Sequence, residues 1–191
     1  MAAILLQGPA TEPVTLAQTK AHLKLDANDE DELVQTLITA ARLHVETLSE
    51  RVLMSQQWRI VRDCWPRGKT LDLPIGPVTS VDAVRVYVTP ETVVTIDPAS
   101  YLVETASLPA RLAMQTGVWP RPGRVLGGIE IDITAGYGTK PNQVPAPLRQ
   151  AVLLLAAHWH TNREPVTTGD TPLRVPGTVD ALINAYRRVR L

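Results

Sequence analysis

The chain has 191 residues, 45% of them apolar and 20% charged, which suits one substantial folded domain or two small ones and argues against intrinsic disorder. Its 19 Lys and Arg residues balance its 19 Asp and Glu residues, so the formal net charge is zero and a polybasic protein that packs nucleic acid is excluded. Cys64 is the only cysteine, which excludes an intrachain disulfide and a zinc site with two cysteine ligands from this chain.

The first 55 residues are predicted to be helical. Thr15 and Gln18 have the spacing of a capping box, which opens a short helix over residues 16–25. Asp29 and Glu32 form a second pair of this type after a break at residues 26–28. A longer helix with one buried stripe follows, and the apolar positions that predict the stripe are Leu33, Leu37, Ala40, Ala41, His44, Leu48 and Val52.

Residues 56–143 alternate in polarity and are punctuated by prolines, which indicates an antiparallel β region. Isoleucines at 129, 131 and 133 alternate with polar residues and predict a half-buried strand. Valines at 84, 86 and 88 alternate with Arg85 and Tyr87 in the same way and predict another strand. The weaker strand candidates are 57–64, 93–96, 101–104 and 111–115.

Helix is predicted again after Val144, and residues 148–160 are apolar nearly all round, so this helix is expected to be buried on most faces. Residues 164–177 form a proline-containing linker, and a last amphipathic helix is expected after Thr178 as its N-cap. The predicted fold is therefore α+β. Residues 1–55 and 144–163 form a helical bundle, residues 56–143 are an inserted β-rich subdomain, and residues 164–191 are a C-terminal arm that ends in a short helix.

Charge is divided along the chain, since residues 1–55 carry eight acidic and four basic residues and residues 56–191 carry eleven and fifteen. The two parts have net charges of −4 and +4. Two parts of opposite net charge favour head-to-tail or stacked assembly. The solvated faces of any domain can, however, also differ in charge.

The sequence predicts no catalytic residues, no cofactor and no metal. His158 and His160 lie two residues apart on a helix and point in different directions, so they are interpreted as partly buried histidines near a helix end. Cys64 has no neighbour that would strongly activate its thiol and is interpreted as a strand residue. The glycines around Tyr137 lack phosphate-binding spacing, and the acidic cluster at 26–32 lacks the glycine and glutamate of a calcium loop.

No secretory signal or membrane span is predicted. Residues 1–6 are apolar but have no basic residues before them, and the longest apolar run, 151–157, is far shorter than the roughly 18–20 residues that cross a bilayer. The expectation is a soluble protein made in a reducing compartment.

Two sets of residues suggest binding. Trp58 and Trp65, with nearby arginines at 59, 62 and 67, would suit a nucleic-acid surface, although packing is the simpler role for these tryptophans and for Trp119 and Trp159. The basic residues at the end of the last helix could bind phosphate, complement the C-terminal end of the helix dipole, or bind an acidic partner. Docking of this helix into a partner and folding back onto the body both remain open.

Several motifs together resemble the head–tail connector proteins of tailed phages, in the branch that includes the gene transfer agent head–tail adaptor. The main ones are VPAPLRQA at 144–151, AHWHTNRE at 157–164 and PVTLAQTKAHLK at 13–24. Shorter matches are DEDE at 29–32, AAR at 40–42, QW at 57–58, CWP at 64–66, LP at 73–74, PV at 77–78, AGYG at 135–138, VP at 175–176 and AYR at 185–187. His160 departs from the pattern, which has an aromatic residue such as tyrosine there.

The resemblance implies a structural protein and not an enzyme. Such connectors form a ring, commonly of twelve copies, beneath the portal of a phage or phage-like particle made in the bacterial cytoplasm. The ring extends the channel through which double-stranded DNA passes without sequence-specific binding, and it is a platform for the stopper or tail. The C-terminal segment reaches the portal, and the residues expected to bind it are Val179, Leu182, Ile183, Tyr186, Arg187, Arg188 and Arg190.

Overall fold

The computed structural model of this chain describes residues 1–163 and 176–187, and it is an α+β structure that divides into two units. The first, here called the β unit, consists of Met1–Pro9 and Ser55–Tyr137. The second, the helical unit, consists of Ala10–Met54 and the described residues after Gly138. The β unit is thus inserted into the helical unit, except for its first strand, which precedes the helices in the chain.

The β unit contains eight strands in two antiparallel sheets. A five-stranded sheet has the order β1-β2-β8-β4-β5, and a three-stranded sheet has the order β3-β7-β6. The bounds are β1 Ala2–Gln7, β2 Gln56–Arg62, β3 Thr70–Leu73, β4 Val78–Tyr87, β5 Val93–Thr95, β6 Tyr101–Glu104, β7 Ala110–Met114 and β8 Ile129–Ala135.

Strand β8 lies at the centre of the larger sheet, as its alternating isoleucines suggest. Ile129, Ile131 and Ile133 are fully buried on one face, where Ile131 lies opposite Ile60 of β2 and Val84 of β4. Because side chains alternate across a strand, the residues between them lie on the other face, which carries Glu130 and Asp132. Strand β2 ends at Arg62, so Cys64 follows the strand and is exposed instead of lying within it.

The helical unit contains α1 Leu16–Leu23, α2 Asp31–Ser49, α3 Ala146–Thr161 and α4 Gly177–Asn184. The predicted capping box of α1 is confirmed, because Thr15 Oγ1 accepts from the Gln18 backbone N–H at 3.1 Å and Gln18 Oε1 accepts from the Thr15 N–H at 3.0 Å. Helix α2 packs against α3, and α1 contacts both of them. The buried residues of α3 are Leu148, Ala151, Val152, Leu155 and Ala156.

The predicted buried stripe of α2 is wrong by one residue at most positions, although Ala41 is buried as predicted. The side chains that face the core are Val34, Ile38, Ala41 and Val45, whereas Leu33 is exposed. Both stripes have helical spacing, and they lie on adjacent faces of the helix about 100° apart. The helix packs through the stripe of branched and small residues, and the leucines at 33, 37 and 48 lie at its margin or outside it.

The helix starts and the N-terminus also differ from the predictions. Helix α2 has Glu30 as its N-cap without a side-chain hydrogen bond, so Asp29 and Glu32 are not a capping pair. Helix α4 has Pro176 as its N-cap, not Thr178. Residues Ala2–Gln7 form β1 beside β2 instead of belonging to a helical region. They carry no helical periodicity, and the pairing depends on a strand more than 50 residues away.

Candidate functional site

The C-terminal helix α4 packs onto the helical unit, where it contacts α3 and α2. Val179 and Ile183 are four residues apart and therefore lie on the same face of the helix. Their side chains are 0% and 1% exposed, whereas Leu182 and Tyr186 are half-buried. Of the predicted portal-binding residues, the apolar pair is thus covered by the chain's own helices. Arg188 and Arg190 lie outside the described residues.

Two arginines hold the segment after α4 against the end of α2. Arg51 Nε donates to the Tyr186 carbonyl at 2.7 Å, and Arg187 Nε donates to the Leu48 carbonyl at 3.1 Å. The last carbonyls of a helix have no partner within the helix, so an arginine there supplies a donor and also complements the helix dipole. Sequence reasoning placed Arg187 at the basic end of the terminal helix but missed the role of Arg51.

Arg42, which belongs to the AAR motif of the resemblance, joins three parts of the helical unit. This nearly buried guanidinium donates from Nε to Glu12 at 2.7 Å and from Nη1 to Glu46 at 2.9 Å. Glu46 in turn accepts the Leu53 backbone N–H at 2.8 Å. The segment before α1, the middle of α2 and the chain after α2 are therefore tied together through one positive charge.

The N-terminus of α2 is tied to the end of α3 through Glu30. His160 Nε2 lies 2.7 Å from one carboxylate oxygen of Glu30, and Arg163 donates to the other. The hydrogen bond from Arg163, and then the one from His160, lower the pKa of Glu30. His160, which departs from the family pattern, thus has Glu30 as its polar partner. The acidic cluster also pairs with Lys20, whose Nζ lies 2.6 Å from Asp31.

An ionic cluster that sequence reasoning missed lies on the polar face of the larger sheet. Asp132 accepts hydrogen bonds from Arg59 Nε at 2.7 Å and from Arg85 Nη1 at 2.6 Å. Glu130, two residues away on the same strand, lies 3.3 Å from Arg59. Alternation along β8 indicated which residues leave the core, but only the register of β2, β8 and β4 brings the two arginines to the same acid.

The ionic cluster lowers the pKa of Asp132. Burial opposes ionisation of Asp132, yet the hydrogen bonds from Arg59 and Arg85 outweigh burial and hold the pKa of this carboxyl below its ordinary value. The hydrogen bond to Asp132 likewise raises the pKa of Arg59. Asp132 and Arg59 are therefore charged at neutral pH, and the carboxylates of Asp132 and Glu130 lie within ion-pair distance of both arginines.

Two tryptophans of the β unit pack against each other. Trp65 stacks on Trp119 with ring centroids 4.1 Å apart, and its indole N–H donates to the Pro120 carbonyl at 2.9 Å. Arg59, which follows Trp58 in the chain, donates a hydrogen bond to Asp132. Trp159 lies in the helical unit, where its ring meets His44 edge-on. The stacking faces and charges that a nucleic-acid surface would use are thus partly engaged within each unit.

Residues 1–163 and 176–187 contain no group of three or more His, Cys, Asp or Glu side chains arranged to hold a metal ion. His158, one of the histidines considered above, has its Nδ1 3.2 Å from the Asn162 amide. Within the same residues, none of the helices has the length and apolar character needed to cross a membrane.

Comparison with known proteins agrees with the resemblance seen in the sequence. A family described as "Phage gp6-like head-tail connector protein" matches residues 13–90. No curated protein matches the chain.

Solved structures that are similar to this chain come from particles of a gene transfer agent (GTA). A chain of the "Neck of empty GTA particle computed with C6 symmetry" is 27% identical with a TM-score of 0.86, and one of the "Virion of native gene transfer agent (GTA) particle" is 27% identical with a TM-score of 0.85. A chain of the "Neck of native GTA particle computed with C12 symmetry" is 29% identical with a TM-score of 0.78. Each similarity covers 100% of this chain and 97% of the other.

Proposed function

We propose that this chain, a member of the phage head–tail connector family, assembles into a ring at the head–tail junction of a phage or gene transfer agent particle. The observation that carries the proposal is the similarity over the whole chain to a protein of the GTA neck, with a TM-score of 0.86. The C12 symmetry of the native neck favours a ring of twelve copies. The role is structural, and no chemical step is assigned to the chain.

In the proposed assembly the ring lies below the portal, extends the DNA channel and gives the stopper or tail a surface to bind. A channel must let DNA slide, so unpaired basic groups repeated around a ring would oppose passage because they hold phosphate. The zero net charge supports this role, as does the pairing of Arg59 and Arg85 with Asp132. Double-stranded DNA is then a passing cargo and not a sequence-specific ligand.

The portal-binding part of the proposal rests on the C-terminal segment 164–191, through Val179, Leu182, Ile183, Tyr186, Arg187, Arg188 and Arg190. Because Val179 and Ile183 are buried in the free chain, they reach a portal only if α4 leaves α2 and α3. The end of the helix is more accessible, since Arg187 is exposed and Tyr186 is half-buried. We therefore propose that the basic residues at this end meet an acidic portal surface first.

Electron microscopy of the protein mixed with its own portal tests the ring. We expect a ring of added density at the narrow end of the portal, with cyclic symmetry. A nucleic-acid module would instead bind duplex DNA tightly, with an affinity that falls steeply as salt rises. Absence of added density together with such DNA binding would contradict the connector role.

Charge removal tests the portal-binding segment while leaving α4 in place. The double variant Arg188→Ala, Arg190→Ala keeps Arg187 and its hydrogen bond to the Leu48 carbonyl. It is expected to weaken portal binding about tenfold or more, because charge pairs in interfaces commonly contribute at least this much. A matched control removes two exposed charges from the β unit, through Arg67→Ala and Arg121→Ala. Surface plasmon resonance against immobilised portal compares them. Equal affinities of the two variants would contradict the proposed segment.

A further inference from the structure

The larger sheet of the β unit ends in two apolar edges. Every residue of Ala2–Gln7 in β1 is exposed, and the side chains of Ile4 and Leu5 are each 48% exposed. At the other end of the sheet, Val93 and Val94 of β5 are 46% and 41% exposed. Both edges therefore leave aliphatic side chains in water.

Strand β1 carries neither of the side-chain types that commonly protect an edge, and the irregularity in its pairing with β2 lies near its end, between Leu5 and Gln7. An edge strand offers unpaired N–H and C=O groups, and proteins usually discourage further pairing there with charged residues or proline. Residues Ala2–Gln7 contain neither. Among the described residues, no strand lies beyond β1 or beyond β5 in this sheet. Val93–Thr95 of β5 also contain no charge or proline, and the three residues of this strand limit the length of any further pairing there. The two edges can thus accept another strand.

The directions of the strands determine how two copies can join. Each neighbouring pair in β1-β2-β8-β4-β5 is antiparallel, so the first and the fifth strand point the same way. Rotation about an axis roughly parallel to the strands keeps that direction. It would place β1 of one copy beside β5 of the next in parallel orientation. Repetition of such a head-to-tail contact forms a closed ring when the rotations between neighbouring copies add up to a full turn.

The registers also determine which side chains share a face. Leu5 lies opposite Trp58, which lies opposite Ile133, on the face of the sheet that carries the buried isoleucines. Val94 lies opposite Val86, which lies opposite Ile129, on that same face.

The polar face continues in the same way. Ile4 lies opposite Arg59, and Val93 lies opposite Tyr87, two residues from Arg85. A sheet continued from one copy to the next therefore brings Leu5 and Val94 together on the apolar face, and Ile4 and Val93 together on the polar face.

We propose that β1 of one copy pairs in parallel with β5 of the next copy, so that this sheet is continuous around the ring. The inference rests on the proposed ring and names the surface that builds it. The occupant of each edge is a second copy of this chain, since both exposed apolar edges belong to the same sheet and the proposed ring repeats one head-to-tail contact between neighbouring copies.

Disulfide cross-linking in the assembled particle tests the contact. Two double variants in a Cys64→Ser background are compared in portal-bound rings under mild oxidation. The first is Leu5→Cys with Val94→Cys, and the second is Ala3→Cys with Val94→Cys. Neighbouring strands lie about 4.8 Å apart, within the Cα separation that a disulfide spans. At least one of these pairs, which lie on one face, should give a ladder of linked copies on a non-reducing gel. The matched control, Ile4→Cys with Val94→Cys, lies on opposite faces and should give none.

Electron microscopy of the same samples before oxidation separates the two proposals. Rings with the expected ladder, and no ladder from the control, support the contact between β1 and β5. Rings without a ladder from either same-face pair overturn this contact and leave the connector role intact. A ladder of equal strength from the control, or links to the portal alone, also overturns it. Absence of rings overturns both the contact and the proposed function.

Discussion

Replacing Ile183 by alanine is expected to release α4 from the helical unit. The side chain is 1% exposed and packs where α4 meets α3 and α2. Truncation of a buried isoleucine to alanine costs about 2–5 kcal/mol in the free energy of unfolding, because apolar burial is lost and a cavity is left. A helix of eight residues has little stability of its own, so α4 is not expected to stay folded and docked once this packing energy is lost.

Hydrogen exchange of residues 177–184 measures this release directly. We expect amide protection of α4 to fall by about two orders of magnitude, since each 1.4 kcal/mol corresponds to a factor of ten in the opening equilibrium. Leu182→Ala is the control in the same helix, because its side chain is only half-buried and its loss should reduce protection far less. Unchanged protection in Ile183→Ala would show that this side chain does not hold α4.

Replacing Asp132 by asparagine is expected to be the most damaging single change of charge in the β unit. The variant keeps the size of the side chain but leaves Arg59 and Arg85 with only Glu130 as a nearby acid. Removing one partner from a buried ion pair costs about 3–5 kcal/mol. The guanidinium side chains here are 29% exposed, which lets water screen part of the charge, so we expect about 2–3 kcal/mol.

Urea unfolding followed by tryptophan fluorescence measures this loss, because Trp58, Trp65 and Trp119 all lie in the β unit. The control is Glu104→Gln, which breaks an exposed pair with Arg111 in the smaller sheet. That pair should contribute less than about 1 kcal/mol. Equal unfolding midpoints for the two variants would contradict the structural role of Asp132.

The same cluster predicts a pH dependence of stability. The pKa of Asp132 is lower in the folded chain than its ordinary value of 3.8, so the folded state favours the charged carboxylate. The stability that it contributes is present above the unfolded pKa and is lost as pH falls through the folded pKa. We expect the difference in unfolding free energy between the wild type and Asp132→Asn to shrink as pH is lowered below about 4. A difference that stays constant down to acid pH would exclude this linkage.

Local sequence patterns predicted the elements whose stability is decided within a few residues. The capping box at Thr15 is such a case, because both of its hydrogen bonds join residues three apart in the chain. The alternation of isoleucines in β8 is another, since the period of a strand follows from backbone geometry alone. The motifs that carry the family resemblance are likewise local strings, which is why the similarity to head–tail connectors could be seen in the sequence.

The buried face of α2 could not be chosen from the sequence. Two adjacent stripes, one containing Leu33 and the other containing Val34, have the same helical period and similar apolar character. Packing against α3 selects the second stripe, and Arg42 follows it inward because Glu12 and Glu46 compensate its charge there. Glu46 lies four residues after Arg42 on the same helix, as the helical period allows, but Glu12 precedes α1 and cannot be identified from the periodicity of α2.

The sequence by itself determined the α+β class, the long helices, the strand with alternating isoleucines and the absence of net charge, because these depend on period, composition and local capping. Only the tertiary structure decided that Ala2–Gln7 is an edge strand, that Asp132 lies between two arginines, and that α4 packs back through Val179 and Ile183. Each of these depends on contacts between residues far apart in the chain, and the free energy of such contacts is set by the register and packing of elements that local patterns do not specify.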